Sequence, residues 1–156
     1  MKLKEYLDKN KIPYEKIRDG IRINRSLSFK KGDVIEFPKR FEIKESLDLR
    51  HTKITKLPED LWVGGYLDLY KSNIKELPKN LKVNGYLDLR YTKITELPED
   101  LKVRGALFLV GTKIEELPKG LYVKKYIVLP DGTEIKMGYR LKRNMSIKEV
   151  KVLEEL

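Results

Sequence analysis

The sequence predicts a mostly β solenoid of stacked 20-residue coils with a parallel β-sheet and helical caps at its ends. Three observations carry this reading. Five blocks of 20 residues follow one another without a gap from Leu27 to Tyr126, and the same columns are apolar throughout. Thus Leu47, Leu49, Ile54, Leu57, Leu61 and Val63 return as Leu67, Leu69, Ile74, Leu77, Leu81 and Val83. Pro38, Pro58, Pro78, Pro98 and Pro118, five of the seven prolines, share one column. Short stretches such as Leu61–Val63 and Tyr66–Tyr70 alternate in character, the pattern of strands with their aliphatic residues inward. A coil this small cannot bury its own apolar side, so it must stack on its neighbours.

The elements follow in order. Residues 2–10 read as a short helix with Leu3, Tyr6 and Leu7 on one side. Tyr14–Ile17 and Ile21–Asn24 flank Arg18-Asp19-Gly20, a turn between two short strands, and Ile21 and Ile23 already occupy the columns of Leu61 and Val63. In the coils, Gly64, Gly65, Gly85 and Gly105 are expected at a corner that needs unusual backbone angles. The Leu-Pro step marks the opposite corner, because proline fixes its own φ and biases the preceding residue to extended geometry. A central proline leaves no room for a helix, so the coils are strand and turn. After Tyr126 the pattern decays. Tyr126–Leu129 still fits the strand column, Pro130-Asp131-Gly132 turns the chain, and Thr133–Met137 and Tyr139–Leu141 are expected as closing strands. Ser146-Ile147-Lys148-Glu149 is a capping-box pattern opening a last helix to about Leu156, with Ile147, Val150 and Leu153 plugging the end. The expected organisation is one domain, 1–156: an N-terminal helix and hairpin cap over 1–26, five repeats over 27–126, and a C-terminal hairpin and helix cap over 127–156.

Composition narrows the function classes. No apolar run is long enough to span a bilayer, and the N-terminal residues have no apolar core of a secretory signal. The absence of cysteine removes disulfides and thiolate metal sites and fits a reducing compartment, so a cytoplasmic location is expected. The net charge of +10 is diffuse, with acids interleaved along the whole chain. It raises the prior for an anionic partner only modestly, since a mixed surface also serves solubility.

The stretch from Leu87 to Pro98, Leu-Asp-Leu-Arg-Tyr-Thr-Lys-Ile-Thr-Glu-Leu-Pro, resembles the leucine-rich-repeat pattern LxLxxNxLxxLP. Threonine stands in the asparagine place at Thr52, Thr92 and Thr112, with Ser72 and Gly32 in the other coils. The following LxVxG segment departs from the common animal and plant repeats and is similar to short bacterial and phage-type repeats. The resemblance covers about 100 of the 156 residues. It implies a protein-recognition scaffold without a shared catalytic residue.

Strand parity lists the outward positions of the longer strand. Asp48, Asp68 and Asp88 form a column, flanked by Arg50, Tyr66, Tyr70, Tyr86 and Arg90; beyond them Phe108, Val110 and Val128 are apolar where polar residues are expected. Tyrosine and arginine beside an apolar patch is the composition of binding hot spots, and this face is the expected contact with another protein. Two plainer readings stand beside it: tyrosines serving strand propensity and cross-strand stacking, and a C-terminal segment, with Met137, Tyr139 and Met145, folded over the apolar end. A metal is not expected, because carboxylates spaced along a flat sheet do not converge on one ion. On the shorter strand, Trp62 and Tyr122 share an outward column with Glu42, Lys82 and Lys102 and read as packed local anchors. Lys82, Lys102, Arg104, Lys124 and Lys125, with Tyr122, form the alternative, a surface for nucleic acid.

Recognisable chemistry is missing. The single histidine, His51, has no orienting carboxylate on a neighbouring element, no glycine loop cradles a phosphate, and the adjacent acids Glu59-Asp60 and Glu99-Asp100 point apart. The expectation is a non-enzymatic protein without cofactor, monomeric or weakly oligomeric, that binds another protein. Small size and the phage-type resemblance extend this to an inhibitor of a host protein, such as a phage-encoded blocker of a bacterial defence (CRISPR-type) nuclease working in the host cytoplasm. The alternatives are a nucleic-acid-binding protein and an assembly or structural repeat protein.

Overall fold

Parallel pairing at a fixed offset of 20 residues builds the molecule. The computed structural model describes residues 1–154 and is a β-solenoid of about five stacked coils of about 20 residues. Each coil contributes one strand to each of two seven-stranded sheets. The LxL sheet runs through Leu27–Ser28, Leu47–Asp48, Leu67–Asp68, Leu87–Asp88, Leu107–Phe108 and Tyr126–Val128. The LxV sheet runs through Gly20–Ile23, Arg40–Ile43, Asp60–Val63, Lys82–Val83, Lys102–Val103 and Tyr122–Val123. Register is strict: Leu47 pairs with Leu67, Leu67 with Leu87, Lys82 with Lys102. The aliphatic columns form one continuous core, with Leu47, Leu67, Leu87 and Leu107 all fully buried.

The caps close the open ends of that core. Helix α1 (Leu3–Lys9) buries Leu3 and Leu7 completely and packs Tyr6 against Phe29, ring centroids 4.8 Å apart and planes tilted by 49°. The hairpin Glu15–Ile17 with Gly20–Ile23 extends the LxV sheet, turning at Asp19 (φ 60°). At the other end Glu134–Lys136 pairs antiparallel with Tyr126–Val128, and the buried Ile135 faces Ile127. Helix α2 (Ile147–Glu154) begins at the expected capping box: Glu149 N–H donates to Ser146 Oγ at 3.1 Å. The expected end of this helix at Leu156 lies outside the described residues.

Four local expectations are corrected. Tyr139–Leu141 is not a strand; Arg140 makes a lone bridge to Tyr122, and the strand that forms instead is Met145–Ser146, antiparallel to Glu116–Leu117. Leu153 does not plug the end, being about half exposed, while Val150 and Ile147 do pack on the core. The C-terminal segment does not fold over the strand face: Met137 and Met145 pack on the core, Tyr139 is exposed, and Glu134–Lys136 adds to the sheet edge. The glycines after the LxV strand are needed for space rather than for angle. A Cβ on Gly85 would sit 2.7 Å from the backbone of Gly65, and one on Gly105 2.6 Å from that of Gly85. Here the coils touch backbone to backbone, with Gly85 N–H donating to Gly65 C=O at 2.8 Å and Gly105 N–H to Gly85 C=O at 3.0 Å.

The left-handed backbone lies elsewhere, in a column just past the LxL strand: His51 (φ 59°), Lys71 (φ 54°), Tyr91 (φ 57°) and Gly111 (φ 74°). The turns are closed from the next coil, and three of them by a threonine of their own coil as well. The N–H of His51, Lys71 and Tyr91 donates to Tyr70, Arg90 and Val110 of the next coil at 2.9–3.0 Å. The hydroxyls of Thr52, Thr92 and Thr112 donate to the carbonyls of Leu49, Leu89 and Leu109 at 2.7–2.8 Å. The threonines thus cap their own coil instead of bridging to the next, and Ser72, without the β-methyl that restricts the threonine rotamer, leaves its buried hydroxyl unpartnered. The first coil shifts by one place: Gly32 takes the turn, so Ile35 rather than Val34 fills the column of Ile54.

Coil spacing at the glycine corner is therefore a steric limit. Gly85→Ala is expected to destabilise by about 1–3 kcal/mol, because a backbone clash forces two coils apart. Gly132→Ala, with φ +90° but open space around it, should cost about 1 kcal/mol. Thermal unfolding of the two variants checks the order; equal losses would contradict it.

Candidate functional site

The outward side of the LxL sheet carries a continuous aromatic row. Tyr66 and Tyr86 stack in parallel, with ring centroids 4.7 Å apart and planes 2° apart. Phe108 meets Tyr86 edge-on at 5.9 Å, and Tyr126 meets Phe108 in the same way at 6.0 Å. Tyr66 and Tyr86 share the column just before the strand, so the sheet's own spacing of about 4.8 Å sets their separation, while Phe108 ends its strand and Tyr126 begins its own. Val110 and Val128 lie half-buried on the same face.

Beside this row runs the carboxylate column, in register as expected. The aspartates face outward by parity but are nearly covered, Asp88 being 3% exposed. Neighbouring side chains close over them, and each turns its Oδ1 back to the backbone N–H two residues on, at Arg50, Tyr70 and Arg90, at 3.0–3.1 Å. Arg50 clamps Asp48 through Nε at 2.9 Å and an NH2 nitrogen at 2.7 Å, and approaches Asp68 at 3.7 Å. Arg90 clamps Asp88 at 2.7 Å. Tyr70 stands where those arginines stand, so Asp68 has no cation of its own coil.

The electrostatics follow that pattern. Burial pushes the Asp48 carboxyl up, but the bonds from Arg50 outweigh it and hold the group below its ordinary value. Asp68 is pushed above it by burial first; the Tyr70 N–H pulls the other way, and the charges of Asp88 and Asp48 add to the rise. Tyr86 is pushed up to about 12 by burial and then by the charge on Asp68. The guanidiniums of Arg50 and Arg90 are held firmly protonated by their aspartate partners.

The turn column brings in residues that strand parity does not reach. Tyr91 is about half exposed and meets Tyr70 edge-on at 5.8 Å, and His51 meets Tyr70 at 5.5 Å. Lys71 Nζ lies 5.3 Å from the Tyr70 ring centre and Arg90 5.0 Å from it, within cation–π range. Gly111 makes room for Tyr91, since a Cβ there would fall 2.3 Å from its ring. The signal for this cluster was the column itself, in which Gly111 aligns with His51, Lys71 and Tyr91: a glycine in a turn column marks left-handed backbone, which swings its other members toward the strand face.

The alternative basic residues lie on the LxV side. Lys82 and Lys102 are register partners, followed by Tyr122 in the same column, with Arg104 and Lys124 two residues on and Lys125 at the corner. The five cations are exposed and Tyr122 is half-buried. Among the described residues no cluster of three or more histidine or acidic side chains is arranged to hold a metal ion, and no helix is long and apolar enough to cross a membrane. Comparison with protein families, with curated proteins and with solved structures finds no match.

The opposite shifts of Asp48 and Asp68 have opposite consequences. A native carboxyl held below its unfolded value of about 3.9 stabilises above that value, and this is lost as pH falls through the lowered one. Asp68 has the reverse sign: stability falls as pH rises from about 3.9 through its raised value. Asp68→Asn, which can still accept the Tyr70 N–H, is expected to raise the melting temperature at pH ~7, with the gain vanishing below pH ~4. Asp88→Asn, which strands Arg90, should cost about 1 kcal/mol at pH ~7. Thermal unfolding across this range reads both; a loss at Asp68 equal to that at Asp88 would contradict the assignment.

Proposed function

We propose that this chain is a non-enzymatic protein-binding scaffold, a leucine-rich-repeat-like solenoid that engages a partner protein through the outward side of its LxL sheet. The observation that carries the reading is the aromatic row Tyr66, Tyr86, Phe108 and Tyr126, held in place by neighbours that have already neutralised their charges. Such a surface suits protein contact on three counts. Its rings are ordered before binding, so little side-chain freedom remains to be lost. Its arginines are paired with aspartates beneath them, so a partner meets aromatic faces and guanidinium edges rather than bare charge. Its rim is polar and cationic, with Lys71 and His51 at one side.

Within that face the contact residues are Arg50, Tyr66, Tyr70, Tyr86, Arg90, Phe108, Val110 and Val128, joined by Tyr91. Asp68 and Asp88 serve from beneath, by fixing Tyr70, Arg50 and Arg90. The columns that resemble leucine-rich repeats of the phage type, together with the small size, support a narrower role: inhibition of a host protein in the cytoplasm, such as a bacterial defence (CRISPR-type) nuclease. That narrower role rests on analogy of repeat and size.

The test compares wild type with Phe108→Asp and Tyr86→Ala, both of outward side chains, in capture of partners from a bacterial lysate at ~0.05 and ~0.2 M salt. A contact centred on aromatic side chains should change little over this range, whereas a phosphate contact weakens steeply. The partner should be lost by at least ~10-fold with each variant while each still unfolds in one cooperative transition above the assay temperature, as for hot-spot truncation. Equal recovery by all three proteins would overturn the assignment of this face.

A further inference from the structure

We propose that the outward side of the LxV sheet is a second binding site, one that takes single-stranded nucleic acid. It is independent of the protein-binding face. Trp62, Lys82, Lys102 and Tyr122 occupy four consecutive rungs of one column, each in register with the next. Two aromatic side chains therefore bracket two cations over about 14 Å of sheet. Trp62 is half-buried and lies against Gly64, where an added Cβ would fall 3.1 Å from the indole Cη2. Two shallow grooves meet at the indole. One is lined by Arg22, Arg40, Lys44 and Lys82, the other by Lys82, Lys102, Arg104 and Arg140.

What separates this side from the LxL face is how its charges are spent. On the LxL face Arg50 and Arg90 are paired with Asp48 and Asp88. Here Glu42 is taken by Arg22 at 2.7 Å and Arg40 at 2.9 Å, and Asp60 accepts a bond from Asn80 at 3.3 Å, leaving Asp100 as the other carboxylate in the grooves. Among the described residues Lys82, Lys102, Arg104, Lys124 and Arg140 form no ion pair. Unpaired cations regularly spaced between aromatic side chains are the combination that tracks a phosphate backbone while bases stack. An acidic protein would use the cations but has no bases to stack, and duplex DNA keeps its bases stacked on one another. The occupant that uses both features is a single strand.

Trp62 is the only tryptophan in the chain, so its fluorescence reports on this site alone. Titration of the whole chain with an oligothymidylate of about 12 nucleotides should quench it. With about four phosphates contacted, affinity should fall about 50-fold between 0.05 and 0.2 M salt. Lys82→Glu with Lys102→Glu should reduce affinity at least ~10-fold at low salt and flatten the salt slope by about half. Trp62→Ala, followed by anisotropy of a labelled oligomer, should weaken binding while leaving the salt slope unchanged. Phe108→Asp on the other face should have no effect, so this site and the protein-binding face fail separately. No quenching and no anisotropy change at low salt would overturn the proposal. So would binding of polyglutamate or duplex DNA as tightly as the oligothymidylate, or a double-lysine variant that binds like wild type.

Discussion

The structure depends on one constraint, the repeated donation of backbone N–H groups to carbonyls one coil further on. Leu47, Leu67 and Leu87 donate to Tyr66, Tyr86 and Ala106 at 2.9–3.0 Å, and Leu49, Leu69 and Leu89 to Asp68, Asp88 and Phe108 at 2.8–3.0 Å. No coil could be stable alone, because its aliphatic side chains have no opposite wall. Stacking supplies the wall and the hydrogen bonds together, and it also fixes every outward side chain at a set distance from its homologue in the next coil. The outward faces of both sheets are consequences of that repetition. A tyrosine in one column of two coils becomes a stack, and a lysine in one column of two coils becomes a pair.

Repetition carries a cost wherever a repeated residue is charged, and the two sides meet it differently. On the LxL side three aspartates in line would repel, and two arginines and three backbone amides are arranged to receive them. The result is a surface whose polar groups are satisfied within the protein and whose aromatic rings are fixed. On the LxV side no comparable acid column underlies Lys82 and Lys102, so their charge faces outward. One backbone device thus yields one surface of fixed rings over paired charges and one of unpaired, outward cations.

The period of 20 makes the coil, both strands and the inward columns readable from the residues alone, as are the hairpin at Asp19-Gly20 and the capping box at Ser146. What escapes such reading depends on contacts between coils. Gly65, Gly85 and Gly105 look like angular glycines because a sequence records a missing side chain but not the neighbouring backbone that forbids one. The covering of Asp68 and Asp88 is hidden in a similar way: parity gives the direction of a side chain but not the bonds made around it, from the Tyr70 N–H and from Arg50 one coil back at Asp68, and from Arg90 at Asp88. The turn column is only half legible. Gly111 marks left-handed backbone, but His51, Lys71 and Tyr91 adopt it at a cost of about 1–2 kcal/mol each, a cost that the inter-coil bonds to Tyr70, Arg90 and Val110 offset.

If coils are interchangeable rungs, removing one whole period should leave a shorter but intact solenoid. Deleting residues 67–86 joins Tyr66 to Leu87 and restores every column, whereas deleting 67–76 places strand residues in turn columns. Circular dichroism with thermal unfolding of both chains is the most direct measurement. The 20-residue deletion should keep the strand signal and a cooperative transition at a lower temperature, and the ten-residue deletion should lose both. Loss of folding in the first, or equal behaviour of the two, would contradict stacking at a 20-residue offset as the basis of the fold.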